Sequence, residues 1–141
     1  MPHTKYTRDN LATALREHGI NPTHQRIEIA HAIFSHGGHL SADRILACVN
    51  GRAAETSKAT VYNTLSLFLK QRLIRQVIVD PSKVFYDANT EPHHHFYHVE
   101  SGELTDIDAR AIRVSGLPPL PRGMSADGID IIVRIRSTSS T

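Results

Sequence analysis

The strongest constraint on the fold is the order in which the hydrophobic pattern changes along the chain. Four segments with helical spacing of apolar residues come first, each bounded by a capping residue or a glycine, at residues 11–18, 22–36, 41–51 and 57–71. Two β-rich runs then surround the turn Asp80-Pro81-Ser82-Lys83, and they predict a hairpin. Helices followed directly by a hairpin are typical of a helix-turn-helix domain with a wing.

The second half of the chain predicts a smaller unit with less regular structure. Residues 88–92 have no apolar periodicity and are expected to form a hinge. Beyond them the pattern predicts a second hairpin, one or two helical turns and a last strand, at residues 96–107, 108–114 and 129–136. The stretch Leu117-Pro118-Pro119-Leu120-Pro121 excludes regular structure because proline lacks the amide donor.

These patterns predict an α+β chain with two domains. A winged helix-turn-helix domain would cover residues 1–87, a hinge 88–92, and a small α/β domain with a three-stranded sheet 93–141. A unit of roughly 45 residues with so few elements buries too little surface to fold alone. We therefore expect the second domain to dimerise, and a symmetric homodimer would match a two-fold-related DNA site.

Charge is distributed unevenly although the formal net charge is only +2. Residues 1–75 contain ten Lys/Arg against five Asp/Glu, whereas residues 76–141 contain six against nine. A basic half suits a polyanion such as DNA, and an acidic half that carries histidines suits a cation. Chance scatter of surface charge is the alternative explanation.

Cysteine content and hydropathy exclude several other classes. The single cysteine, Cys48, rules out an internal disulfide and a cysteine-pair zinc site, and it lies on an apolar helical stripe where we expect it in the core. No apolar run is long enough to span a membrane, and no secretory signal is visible behind Met1. We therefore expect a cytoplasmic protein with no membrane partner.

The strongest chemical feature is the run His93-His94-His95, followed by His98. On a strand, His93 and His95 point to one face while His94 points to the other. Two imidazoles on one face supply half of a site for a first-row metal such as zinc, manganese or iron. A polar hinge is the alternative interpretation of such a cluster.

Several short motifs together resemble the ferric uptake regulator family in their order and spacing. They are Thr23-His24-Gln25-Arg26, His39-Leu40-Ser41-Ala42-Asp43-Arg44-Ile45, Ala59-Thr60-Val61-Tyr62-Asn63-Thr64-Leu65, Phe85-Tyr86-Asp87, the run 93–95 and Gly102-Glu103-Leu104-Thr105-Asp106-Ile107. The resemblance implies a homodimeric transcription regulator that responds to metal and binds A·T-rich inverted repeats in double-stranded DNA.

The resemblance also implies a regulatory metal site, with ligands at His39, Asp87, His93, His95 and Asp106. Three imidazoles and two carboxylates form a mixed nitrogen and oxygen shell with room for five or six ligands. Such a shell suits iron(II) or manganese(II) better than structural zinc, although zinc could occupy it in purified protein. The alternative for His39 is a helix-capping residue, and for Asp106 a surface carboxylate.

The chain departs from the family at its other metal sites. Many members have two cysteine pairs that bind structural zinc, whereas this chain has His98 and Ser101 at the first pair, so no such zinc site is expected. A further family site uses the middle histidine of the run with a glutamate and a later histidine. Here Arg113 stands at the glutamate position and no histidine follows His98, so that family site is not expected to form. His94 and His98 are candidates for a different secondary metal or for haem.

Two branches of the family share features with this chain. The missing cysteines, the proline-rich stretch and the closing residues 130–136 resemble the iron response regulators, and we predict that function in iron homeostasis. Asp106 also occurs in the peroxide-sensing branch, where iron oxidises a histidine ligand, here His39 or His93. A peroxide-sensing repressor is therefore the alternative. A His/Asp metallohydrolase with Glu100 or Glu103 as its base is a remote one, and we expect no enzyme.

The resemblance places the DNA recognition helix at Ser57 to Gln71. Tyr62 should face the major groove, where its ring can pack on a thymine methyl. Arg26 is expected to be a structural anchor or a phosphate contact rather than a base reader. The polar side chains expected to contact DNA are Lys58, Thr60, Asn63 and Thr64.

Overall fold

The computed structural model describes residues 6–53 and 56–138, apart from the side chains of residues 52 and 53. Its helices are α1 (Arg8–Glu17), α2 (His24–His36), α3 (Ala42–Ala53) and α4 (Lys58–Lys70). Its strands are β1 (His39–Leu40), β2 (Arg75–Asp80), β3 (Lys83–Asp87), β4 (His93–His98), β5 (Leu104–Asp108) and β6 (Ile132–Ile135). The chain divides into two compact units between Thr90 and Glu91, each with one three-stranded sheet, and the predicted α+β class is confirmed.

Hydroxyl side chains begin the four helices of the first unit. The side-chain oxygens of Thr7, Thr23, Ser41 and Ser57 accept hydrogen bonds from the backbone N–H three residues later, at 3.1 to 3.3 Å. Each such cap satisfies a backbone donor that has no partner within its helix, and losing one typically costs about 1 kcal/mol. Gly37 ends α2 in the left-handed conformation, with a φ of 75°.

The apolar stripes of the helices meet in one core within the first unit. Its largest fully buried side chains include Phe68, Leu15, Ile29, Ile33, Ile45 and Leu65. Helices α2 and α4 contribute four of these six residues. Burial of each such side chain stabilises the fold by roughly 1.5 to 3 kcal/mol before chain entropy is counted.

The wing is present, and it has one strand more than the pattern predicts. Strands β2 and β3 form the predicted antiparallel hairpin, and β1 adds to the free edge of β3 in the order β1-β3-β2. Strand β1 contains only two residues, so it has no hydrophobic period that sequence reasoning could detect. Its pairing sets His39 opposite Asp87 and Leu40 opposite Tyr86.

The second unit contains the expected three-stranded sheet, in the order β5-β4-β6. Strands β4 and β5 are antiparallel, and β6 runs parallel to β4. A short 3-10 turn, Ala109–Ala111, replaces the predicted one or two helical turns. Residues 112–131 then contain no helix or strand, as the prolines predict for 117–121, and residues 113–130 are all exposed.

Two predictions about α3 are wrong. The helix passes through Gly51 and continues to Ala53, because a glycine inside a helix costs only about 1 kcal/mol and does not by itself end it. Cys48 is exposed rather than part of the core. Ala42, Ile45 and Val49 form the buried face, and Cys48 is turned about 100° away from Val49.

Among the residues that the structure covers, no helix is long and apolar enough to cross a membrane.

An ion pair joins α1 to α2 across the surface of the first unit. Arg8 donates from Nε and Nη2 to the two carboxylate oxygens of Glu28. The hydrogen bond from Arg8 lowers the pKa of the Glu28 carboxyl below its usual 4.5, and the same bond raises the pKa of the Arg8 guanidinium. The pair is two-pronged, which is the geometry in which surface ion pairs contribute most.

We expect Arg8→Met to destabilise the chain at pH 7 by about 0.5 to 1 kcal/mol. Because the folded pKa of Glu28 is depressed, its contribution is complete above the unfolded pKa and is lost as pH falls through the folded pKa. Urea denaturation at pH 7 and at the lowest pH where the chain stays folded should show the difference from wild type shrinking. Arg16→Met, also on α1, is the control. An equal difference at both pH values would contradict this assignment.

Candidate metal centre and nucleic-acid interface

A histidine and an aspartate lie side by side in the first unit. His39 in β1 and Asp87 at the end of β3 are register partners, and His39 Nε2 is 3.0 Å from Asp87 Oδ2. The other carboxylate oxygen, Oδ1, accepts a hydrogen bond from the backbone N–H of Asn89 at 2.9 Å. Both side chains are more than nine-tenths buried. This pair offers one nitrogen and one carboxylate in fixed orientation.

Two histidines and an aspartate form a similar cluster in the second unit. His93 and His95 alternate along β4, and Asp106 on β5 is the register partner of His95. The Nε2 atoms of both histidines are 3.6 Å from Asp106 Oδ1, and their ring centroids are 4.5 Å apart. One potential ligand atom from each of the three residues lies within 4.8 Å of the others. As predicted, His93 and His95 share a face.

A backbone carbonyl sets the tautomer of His93. Its Nδ1 lies 2.6 Å from the carbonyl oxygen of Glu91. A carbonyl can only accept, so Nδ1 carries the hydrogen and the neutral ring keeps its lone pair on Nε2, toward Asp106. Metal-binding histidines usually donate their second ring N–H to such an oxygen.

The spacing of the cluster in the second unit fits ligands of one ion. Two ligands about 2.0 to 2.2 Å from one metal lie about 2.8 to 3.6 Å apart at angles between 90° and the tetrahedral value. The observed 3.6 Å between Asp106 Oδ1 and each Nε2 is longer than an ordinary N–H···O hydrogen bond. A cation between the three side chains would neutralise the carboxylate and use the Nε2 lone pair of His93. The donor set therefore fits a bound divalent metal.

The other two histidines of β4, His94 and His98, make contacts with their own sheet. His94 Nδ1 accepts a hydrogen bond of 3.1 Å from the backbone N–H of Ile131, just before β6. His98 Nε2 is 3.0 Å from the hydroxyl oxygen of Thr105. Within the described residues, neither belongs to a group of three potential ligands. The His94 contact joins β4 to the residue before β6, and the His98 contact joins β4 to β5.

Helix α4 occupies the range predicted for the recognition helix, with Ser57 and Gln71 as its caps. Lys58, Tyr62 and Asn63 are exposed, and Thr60 is half-buried. Thr64 does not share this surface, since it is only 6% exposed and belongs to the buried stripe of the helix. That burial contradicts its prediction as a DNA contact, because a hydroxyl turned toward the core cannot reach a base.

Arg26 makes a contact that fits its interpretation as a structural anchor. Its Nη1 donates to the backbone carbonyl of Asn21 at 2.9 Å, and the side chain is half-buried. The contact links the first turn of α2 to the segment that precedes it.

Sequence reasoning missed the two backbone groups that orient the ligands. The carbonyl of Glu91 and the N–H of Asn89 both lie in the segment first interpreted only as a hinge. Backbone groups have no residue type that could reveal them. Their position, directly between Asp87 and His93 in the sequence, was the only available signal.

Comparison with known proteins shows to which family the chain belongs. Residues 17–116 match the ferric uptake regulator family. A stretch of 94 residues is 29% identical to the peroxide-responsive repressor PerR of Staphylococcus epidermidis, and it covers 67% of this chain and 63% of that protein. The matching part of the chain therefore spans less than two thirds of that relative's length.

Solved structures show the same fold at lower identity. The ferric uptake regulator from Pseudomonas aeruginosa with manganese has a TM-score of 0.67 at 21% identity, over 90% of this chain and 97% of that one. The ferric uptake regulator from Francisella tularensis with iron has a TM-score of 0.68 at 20% identity, over 85% of this chain and 93% of that one. The family match covers well over half of the chain, and the fold agrees with it. The chain belongs to the ferric uptake regulator family.

Proposed function

We propose that this chain is a metal-responsive transcription regulator that binds DNA as a homodimer. The observation that carries the proposal is the cluster of His93, His95 and Asp106, whose spacing and buried imidazoles fit a divalent cation. Family membership supports a regulatory rather than a catalytic use of that cation. The exposed Tyr62 and Asn63 on a capped α4 support the DNA-binding role.

We further propose that the two clusters bind one ion together, through His39, Asp87, His93, His95 and Asp106. Chain connectivity supports this arrangement, since Asp87 and His93 are six positions apart and their Cα atoms cannot be more than about 20 Å from each other. The combined set of three imidazoles and two carboxylates suits iron(II) or manganese(II), and zinc in purified protein. The bound ion would supply positive charge that neutralises both carboxylates.

The residues of the chain prepare this site in different ways. The Glu91 carbonyl keeps the ring hydrogen of His93 on Nδ1, so that the Nε2 lone pair is available to a metal. The Asn89 N–H fixes the orientation of the Asp87 carboxylate. His39 lies directly beside Asp87, and its ring must be neutral to serve as a ligand because a metal binds the imidazole lone pair. Asp87 is also the last residue of β3, and therefore its position fixes the base of the wing.

Ordinary linkage then connects the metal to DNA binding. A metal that prefers the DNA-competent conformation shifts the population toward it only by its difference in affinity for the two conformations. A 100-fold preference corresponds to about 2.7 kcal/mol, which turns a weak binder into an occupied repressor. The binding target proposed is an A·T-rich inverted repeat, matched by the two-fold symmetry of a homodimer.

A second candidate function is peroxide sensing, and one finding favours it. The curated relative with 29% identity is named as a peroxide-responsive repressor. The aspartate at position 106 is also the residue type found in the peroxide-sensing branch. In this candidate, His39 or His93 takes one oxygen atom from peroxide, which leaves as water, and the altered ring no longer binds metal. The comparisons thus support the peroxide alternative better than iron response, which stays a prediction, as does a haem-binding role of His94 or His98.

The enzyme alternative receives no support. The family is one of regulators, and the relative matched in sequence is named as a repressor. Glu100 and Glu103, the bases of the remote metallohydrolase interpretation, both lie outside the cluster of potential ligands.

We expect manganese to tighten binding to an A·T-rich inverted repeat, and His93→Ala or His95→Ala to abolish that effect. Loss of a ligand should weaken metal affinity by more than the roughly 10- to 100-fold typical of outer contacts. Fluorescence anisotropy at fixed salt measures DNA binding, calorimetry measures manganese binding, and urea denaturation confirms folding.

His36→Ala, an exposed histidine outside both clusters, is the matched control. If the ligand variants kept the full manganese effect, the proposed site would be wrong.

The exposed residues of α4 make a separate prediction. Tyr62→Ala and Asn63→Ala should each weaken binding to the specific duplex by about 1 to 3 kcal/mol, as for the loss of a base contact, while manganese affinity stays unchanged. Ser125→Ala, an exposed change in the second unit, should leave both quantities at wild-type values. Equal affinity of the Tyr62 variant and wild type would remove that residue from the interface.

Peroxide sensing has its own test. Iron(II)-loaded protein treated with peroxide should release DNA and gain the mass of one oxygen atom in the peptide that contains His39 or His93. Manganese-loaded protein, treated identically, is the control and should keep its mass and its DNA. Release without any change in mass would count against this candidate.

A further inference from the structure

The amide side chain of Asn50 closes the connection between α3 and α4. Its Nδ2 donates to the backbone carbonyl of Thr56 at 3.0 Å, and the backbone N–H of Thr56 donates to its Oδ1 at 3.1 Å. Both residues are at least partly buried, and Thr56 is only 8% exposed. The side chain of Asn50 on α3 therefore binds both the backbone N–H and the backbone carbonyl of Thr56, just before α4.

Thr56 leads directly into the first turn of α4. The next residue, Ser57, is the helix cap, and its Oγ accepts from the backbone N–H of Thr60 at 3.1 Å. The Ser57 hydroxyl also lies 3.0 Å from the hydroxyl oxygen of Thr60. Hydrogen bonds from the last turn of α3 therefore hold Thr56, and the next residue along the chain begins the recognition helix with hydrogen bonds of its own.

Two other contacts between α3 and α4, among the described residues, are less directional. The ion pair between Lys58 and Asp43 is 3.9 Å long and highly exposed, so salt screens it. The buried side chains Val61, Leu65 and Ile45 hold the helices together, but apolar burial has no preferred direction. Hydrogen bonds have donor–acceptor distances of about 2.7 to 3.2 Å and weaken steeply at angles below about 120°, and so they fix position more closely.

We propose that Asn50 is a positioning residue that sets the start of α4 for base-specific reading of DNA. The inference rests on the proposed DNA-binding function. Base contacts demand closely defined positions, whereas phosphate contacts supply affinity without sequence information. Displacement of the first turn of α4 should therefore reduce specific binding more than non-specific binding.

The chemistry of the contact demands a carboxamide of this length. Only Asn or Gln presents a donor and an acceptor side by side, and Gln is one methylene longer. An ionised aspartate only accepts, so Asn50→Asp would set a carboxylate oxygen against the Thr56 carbonyl. Asn50→Leu has nearly the same shape and no charge, and it removes both hydrogen bonds. The two variants therefore separate the loss of the bonds from the added charge.

The test compares the binding of two duplexes to the whole 141-residue chain, loaded with manganese. Fluorescence anisotropy at fixed salt would measure affinity for an A·T-rich inverted repeat and for a scrambled duplex of the same composition. We expect the ratio of the two affinities to fall at least 10-fold in Asn50→Leu and Asn50→Asp. Non-specific affinity in Asn50→Leu should stay within twofold of wild type, and manganese affinity should not change.

Cys48→Ser is the matched control, because Cys48 is exposed on the same helix. A merely structural role would lower both affinities in proportion to the unfolded fraction, leaving their ratio unchanged, and would overturn the proposal. An unchanged ratio in stably folded variants, with wild type discriminating, would overturn this inference alone. If wild type itself failed to discriminate between the duplexes, the proposed function would fail and this inference with it.

Discussion

Each unit places a histidine directly opposite an aspartate on paired antiparallel strands, and the candidate site depends on this pairing. His39 faces Asp87 across β1 and β3, and His95 faces Asp106 across β4 and β5. Such partners have Cβ atoms about 4.5 to 5.5 Å apart, close enough for a shared cation or a direct contact. A slip of one residue would turn the side chains to the other face and separate the ligands.

Apolar burial beside each pair holds the register. Leu40 opposite Tyr86 is the neighbour of the first pair, and both are buried in the core of the first unit. Tyr97 opposite Leu104 plays the same part in the second unit. Non-directional hydrophobic burial therefore determines which polar atoms meet, and the ligand geometry follows from the packing of side chains that never touch a metal.

Much of the fold follows from local patterns in the sequence. The four helices have hydroxyl caps and apolar stripes, and the wing has an Asp-Pro turn, so their types could be predicted from neighbouring residues alone. Strand β1 could not be predicted in this way, because a strand of two residues has no hydrophobic period and forms only by pairing with β3. Thr64 and Cys48 were misplaced for a related reason, since a residue at the margin of a stripe is buried or exposed according to its neighbours in space.

The candidate site was predicted less from pattern than from resemblance. Alternation along β4 predicted that His93 and His95 share a face, but nothing local connects them with Asp106. That link comes from the register of β5, which the family motif implied and the strand pairing now shows within the second unit. The Glu91 carbonyl lay beyond prediction, because its role arises from backbone geometry.

The exposed segment between the 3-10 turn and β6 bears on how chains of this kind can vary. Residues 112–131 contain no helix or strand, and a parallel pairing such as β6 with β4 requires a long connection in any case. Doubling the length of a flexible connection costs only about 0.6 kcal/mol in closure entropy. The region that matches the family ends at residue 116 and contains all five candidate ligands. Insertions and deletions between residues 113 and 130 can therefore change the length of this segment while the five candidate ligands keep their places in the strands.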